Sequence, residues 1–167
     1  MVYYKKGDAI VRDSEEKDIE ALKVNMRKED IAEVWASHHH TPEEALKLSY
    51  KNSVPCLTIE KNGVPIVMFG VVPETLLSDR ANIWLLATEG ICKVRKSFIK
   101  HCRGFIKSML LQYSILENHI DARNKISIRW LKWCGATIEE AKPMGEEKLP
   151  FHYFYFRRNN QCAIQSH

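Results

Sequence analysis

Three groups of residues in this sequence are of types that chemistry uses. The first is His38-His39-His40. Three consecutive residues of a regular element cannot all face one ion, and no His or Cys partner stands at a zinc-like spacing, so the run reads as a polar loop ahead of Thr41. The second is Arg27, Asp30 and Glu33, spaced i, i+3, i+6 as on one helix face. Arg27 and Asp30 suit a surface ion pair of small energetic weight. The third is a cationic run, Lys93, Arg95, Lys96, Lys100, Arg103 and Lys107, with no acidic residue among them. At about 100° per residue, Val94, Phe98, Cys102, Phe105 and Met109 share one helix face and five of the cations lie opposite. Arg95 projects to the edge of the apolar face, where a guanidinium can pair with a phosphate. A solvated basic face is the simpler reading of the run. Cys92 and His101 stand nine residues apart, about 13 Å along a helix, too far for a thiol–imidazole pair.

The elements that must position these groups follow from local signals. Ala9 to Arg12 suits a short opening strand, and Asp13 or Ser14 an N-cap ahead of Glu15 and Glu16. Ile19, Leu22 and Met26 then give a helix an apolar face. Asn25 marks a break before a second helix through Ile31, Val34 and Trp35. Thr41-Pro42-Glu43-Glu44 is a capping sequence with proline at N1, opening a helix through Ala45, Leu46 and Leu48 to about Asn52. Pro55–Glu60, Asn62-Gly63 and Pro65–Val72 read as a hairpin. Asn82–Thr88 is the next strand, Val94–Leu111 the amphipathic helix, Tyr113–Ile120 a strand and Asn124–Cys134 a short helix closed by Gly135. Ala136–Glu140 and Phe151–Arg157 form a last strand pair, joined by a loop holding Pro143, Gly145 and Pro150. The aromatic strand Phe151, Tyr153, Phe154, Tyr155, Phe156 suits sheet packing. Residues 1–158 read as one α/β domain and 159–167 as a loose tail.

Composition sets outer bounds. The chain has 167 residues, 45% of them hydrophobic and 28% charged, with a net charge of +4. This excludes wholesale disorder and collagen-like structure. The longest apolar run, Ile66 to Phe69 and on through Gly70 to Val72, is far short of a bilayer span, so no membrane partner is expected. The start lacks the apolar stretch of a secretory signal. Cys56, Cys92, Cys102, Cys134 and Cys162 are odd in number and lack any Cys-x-x-Cys, which suits free thiols in a reducing compartment, mostly as small core residues. The basic face carries no interleaved aromatics, which argues against a nucleic-acid partner.

The element order resembles the GNAT fold of acyl-CoA-dependent N-acetyltransferases across nearly the whole chain. Asn124-x-x-Ser127-x-x-x-Leu131-x-x-x-Gly135-Ala136 keeps the spacing of that fold's Asn-x-x-Ala-x-x-x-Tyr-x-x-x-Gly-Phe pattern. A wider series covers Met26-Arg27-x-x-Asp30-x-x-Glu33, Pro42-Glu43-x-Ala45-Leu46, Asn62-Gly63-x-Pro65, Phe69-Gly70-Val71 and Trp84-Leu85-Leu86-x-Thr88. With Asn124 and Arg129-Trp130-Leu131-Lys132 it is similar to the T7-type internal virion protein A family of phages and prophages. That resemblance implies a mixed, mostly antiparallel sheet of six or seven strands with helices on both faces. It also implies action in a bacterial cytoplasm or a virion, with a CoA thioester or a phage or host protein as partner.

What the resemblance implies for a site is mixed. GNAT enzymes cradle the acetyl-CoA pyrophosphate on the motif Arg/Gln-x-x-Gly-x-Gly/Ala at a helix start, where glycine lets backbone amides come close. The matching stretch here is Arg95-Lys96-Ser97-Phe98-Ile99-Lys100, with Phe98 and Lys100 at the glycine positions. Arg95, Lys96 and Ser97 are the expected phosphate contacts, and acetyl-CoA binding, where it occurs, is expected to be weak. Asn124 either bonds the pantetheine arm or caps its helix. Glu89 is the best-placed carboxylate for a base, with an ordinary exposed glutamate the simpler reading, and Leu131 stands where the family places a proton-donating tyrosine. No metal is expected. Two readings stay open, an N-acetyltransferase with a degenerate cofactor motif and a non-catalytic virion protein on the same scaffold.

Overall fold

The computed structural model describes residues 1–75 and 77–158. The elements run β1 (Val2–Lys6), β2 (Ala9–Asp13), α1 (Lys17–Lys23), α2 (Lys28–His38), α3 (Pro42–Asn52), β3 (Cys56–Lys61), β4 (Val64–Pro73) and β5 (Arg80–Ala87). There follow α4 (Ile91–Gln112), β6 (Ile115–Asp121), α5 (Lys125–Cys134), β7 (Thr137–Met144) and β8 (Leu149–Arg157). One eight-stranded sheet has the order β1-β2-β3-β4-β5-β6-β8-β7. All neighbours are antiparallel except β5 and β6.

Alternation along the strands splits the core in two. Met68 and Leu86 point to one face and join Ile19, Leu22, Met26, Ala45 and Leu46 under α1 and α3. Val67, Phe69, Val71 and Ala87 point to the other and meet Val94, Ile106, Met109, Ile128 and Leu131 of α4 and α5. Buried polar ties fix the first layer. Asp18, wholly buried, accepts two 2.8 Å hydrogen bonds from Arg12 and one each from the Thr58 hydroxyl and the Glu15 amide. Burial alone would raise this carboxyl, but those donors outweigh it and hold it below its ordinary value.

The local signals hold where they are self-contained. Thr41 and Glu44 form a reciprocal capping box with Pro42 in the first turn. Asn62 and Gly63 take φ of 52° and 75° in the β3–β4 turn. Gly135 closes α5 at φ 99°.

Several expectations are corrected. The sheet has eight strands because Val2–Lys6 pairs with β2, extending the opening strand into a hairpin. Met26 leaves α1, which ends at Lys23, and forms a bridge with Thr88. Ile31, Trp35 and Leu48 are exposed. Pro143 and Pro150 lie within β7 and β8, leaving only residues 145–148 to turn. Cys92 is exposed, whereas Cys102 is buried with its sulfur 3.7 Å from that of Cys134. The expected tail, 159–167 with Cys162, lies outside the described residues.

Candidate functional site

The parallel pair β5–β6 is short. Only Arg80–Ile115, Ala81–Leu116 and Asn82–Glu117 are in register, and the strands then part. The seam is clasped by Arg80, whose guanidinium donates to both Glu117 carboxylate oxygens. Beyond it, Asn118 Nδ2 reaches across to the Ile83 carbonyl at 2.8 Å. The opening forms a cleft of about 740 Å³, walled by the ends of β5 and β6, the head of α4, α5 and the N-terminal half of α2.

The backbone register of β5 aims polar groups into this opening. Alternate residues of a paired strand direct both N–H and C=O to the same side. On the β6 side, the Ile83 carbonyl takes the Asn118 bond, the Ala87 N–H donates to Asp30 (2.8 Å), and the Ala87 carbonyl accepts from the Arg27 amide (2.9 Å). Leu85 shares that parity, so its N–H and C=O face the gap. An exposed strand edge of this kind suits an extended amide-bearing chain.

Carboxylates from α2 line one wall. Asp30 is buried and receives Arg27 Nε at 3.1 Å and Nη2 at 2.6 Å besides the Ala87 amide. The pair is therefore an interior tie between α2 and the end of β5, correcting the surface reading. Burial pushes the Asp30 carboxyl up against the pull of Arg27. One turn on, Glu33 Oε2 accepts from the Asp121 amide (3.3 Å) and from Asn124 Nδ2 (3.4 Å). Burial, reinforced by Asp30 and Asp121, pushes Glu33 up to about 7. A carboxyl tuned to that range can accept a proton near neutrality. The i, i+3, i+6 spacing was the signal for it, but its burial depends on residues some 90 positions away.

The expected site residues divide. Glu89, Arg95 and Asn124 all line the cleft. Glu89 stands exposed at its rim. Asn124 caps α5 through a 3.2 Å bond from the Ser127 amide, while its Nδ2 faces Glu33 at the cleft wall. Ser97 faces a separate apolar cavity of about 90 Å³ under α4, and Lys96 is exposed and lines neither space. Because α4 starts at Ile91, residues 95–97 lie beyond its first turn, where helix carbonyls take the amides. At the head itself the Gly90, Ile91 and Lys93 amides already meet Thr88 Oγ1, Thr88 O and Gly90 O. Phe98 lies against Trp130 (ring centroids 5.4 Å) and forms part of the cleft wall rather than a plug. Leu131 is buried and offers no proton.

The sheet order, the parted parallel strands and the helix placement define a GNAT fold. Solved structures agree at low identity. Ard1 from Thermoplasma volcanium superposes with a TM-score of 0.66 at 16% identity, over 90% of this chain and 98% of that one. The ribosomal-protein-S18-alanine N-acetyltransferase from Escherichia coli gives 0.62 at 11%, over 94% and 99%. Spermidine N-acetyltransferase from Vibrio cholerae, solved in complex with CoA and spermine, gives 0.60 at 11%, over 90% and 95%. No curated protein matches the sequence. Residues 56–141 match the family described as "Bacteriophage T7, probable scaffold protein Gp13", and the chain belongs to that family.

Proposed function

We propose that this is a phage- or prophage-encoded GNAT-like protein of internal virion protein A type, whose β5–β6 cleft binds an acetyl-CoA-type thioester weakly and serves N-acetyl transfer. It would act in the bacterial host cytoplasm or in the virion. The observation that carries the reading is the parted strand pair with the Leu85 N–H and C=O directed into an open cleft. The fit to CoA is divided. The β5 edge suits the extended pantetheine arm, whereas the Gly90, Ile91 and Lys93 amides at the head of α4 are engaged, so phosphate contacts fall chiefly to the Arg95 and Arg129 side chains. When bound, the thioester supplies the activated acyl group. The protein's own part is to orient an amine beside α2 and take its proton, with Glu33 the best-tuned acceptor and Glu89 a second carboxylate at the rim.

Titration calorimetry with acetyl-CoA, paired with a thermal shift, tests this. Millimolar-range binding that Arg95→Ala weakens is the expected result. Absence of both heat and stabilisation at millimolar acetyl-CoA overturns it. A second reading, a non-catalytic assembly protein, is favoured by Leu131 and by the scaffold description of the family. It predicts binding without turnover on any amine tested.

A further inference from the structure

Charge in this protein is sorted by element. Nine of the 25 Lys and Arg residues and none of the 21 Asp and Glu residues lie in α4 and α5, so the remainder of the chain holds 16 cationic and 21 anionic side chains, a net −5. All nine cations are exposed, and among the described residues none belongs to an ion pair. Elsewhere Arg12, Lys23, Arg27, Lys47, Arg80 and Arg123 each have a carboxylate partner.

The two helices present these charges in rows. Lys93, Lys96, Lys100, Arg103 and Lys107 recur every three or four residues along α4, a stripe about 21 Å long. Lys125, Arg129 and Lys132 repeat the spacing on α5. Phe98 meets Trp130, and four residues on Cys102 meets Cys134, so the helices run side by side in one direction. The rows are thus carried on two neighbouring helices.

We infer that the outer face of α4 and α5 is a sequence-independent docking surface for double-stranded DNA. Unpaired exposed like charges in register repel one another, and a polyanion relieves that repulsion by releasing its own counterions. A protein partner would need an apolar centre to its interface. Between the α4 cations this face offers Gly104, where an added Cβ would meet nothing within 4 Å, and Ser108; the exposed Leu111 and Ile126 stand at opposite ends of the helix pair and form no apolar centre. Single strands need aromatic platforms for their bases. The one large exposed aromatic here, Trp133, is covered by the Arg103 guanidinium at 3.9 Å. The missing aromatics that argued against nucleic acid at the level of sequence therefore argue only against its single-stranded form.

The test is fluorescence anisotropy of the full chain with a labelled random-sequence 20-bp duplex between 50 and 200 mM NaCl. With about five phosphates contacted, affinity is expected to fall about 500-fold over that range. Lys100→Glu with Lys107→Glu should weaken binding at least tenfold (about tenfold per 1.4 kcal/mol) and flatten the salt slope by about two contacts. The milder Lys100→Gln/Lys107→Gln pair, checked for an unchanged melting temperature, should do so in part. Neither residue lines the β5–β6 cleft, so acetyl-CoA titration of the same variants separates this surface from that site. No binding at 50 mM NaCl, a slope unchanged in both variants, or equal affinity for polyglutamate or for single strands overturns the inference.

Discussion

Replacing Glu33 by glutamine should stabilise the protein, and only at higher pH. The carboxyl is carried from an ordinary value of 4.5 to about 7 by burial beside Asp30 and Asp121. Below pH 4.5 it is protonated in both folded and unfolded chains and contributes no pH dependence. Between 4.5 and 7 the folded protein holds a proton that the unfolded chain has released, so stability falls as pH rises. Above 7 the full penalty, about 3 kcal/mol, is present. Glutamine keeps the acceptor oxygen for the Asp121 amide and for Asn124 Nδ2 but cannot ionise. Urea unfolding of both proteins from pH 4.5 to 8 reads the difference directly. The variant should gain about 2–3 kcal/mol over wild type at pH 8 relative to pH 4.5, or several degrees in melting temperature. A difference that stays flat with pH, or a wild type favoured at pH 8, refutes the burial argument. If Glu33 also accepts the proton in turnover, kcat/KM loses its rise near pH 7 in the same variant, while Glu89→Gln leaves that rise in place.

Two further outcomes concern the frame. Asp18→Ala strips the Arg12 guanidinium, the Thr58 hydroxyl and the Glu15 amide of their buried acceptor, and should cost about 3 kcal/mol or more in urea unfolding. Two glycines should respond with opposite sign in thermal melts. A Cβ at Gly70 would stand 2.5 Å from the Pro55 carbonyl oxygen, so Gly70→Ala should destabilise by about 1–3 kcal/mol. Gly104 sits mid-helix with open space around it, so Gly104→Ala should stabilise by about 0.5–1 kcal/mol.

What could be read from sequence was whatever neighbours in the chain decide. The Thr41–Glu44 box, the Asn62-Gly63 turn and the Gly135 cap each close within four residues or fewer, and each is present. The apolar stripe from Val94 to Met109 set the orientation of α4 for the same reason. The Val2–Lys6 strand was missed because an edge strand with one inner neighbour needs no regular apolar alternation. Met26 fits a helical stripe, yet its pairing with Thr88 draws it out of α1. The site was least legible where it depends on distant parts of the chain. Nothing local to Arg27 and Asp30 announces that Ala87 will seal them from water. Nothing near Glu33 announces Asp121 and Asn124. The positions of Phe98 and Leu131 were readable, but whether an aromatic ring there blocks or borders a cleft is a matter of rotamer and neighbours, and here Trp130 holds it to one side.

The three-residue seam between β5 and β6 divides the sheet mechanically into a leaf of five strands and a leaf of three. Fewer ladder pairs cross that line than any other in the sheet, so a scissoring of the two leaves about Ala81 and Leu116 is the deformation that disturbs the fewest backbone bonds. The Arg80–Glu117 clasp acts as the pivot pin, and anything lodged between the blades sets their angle.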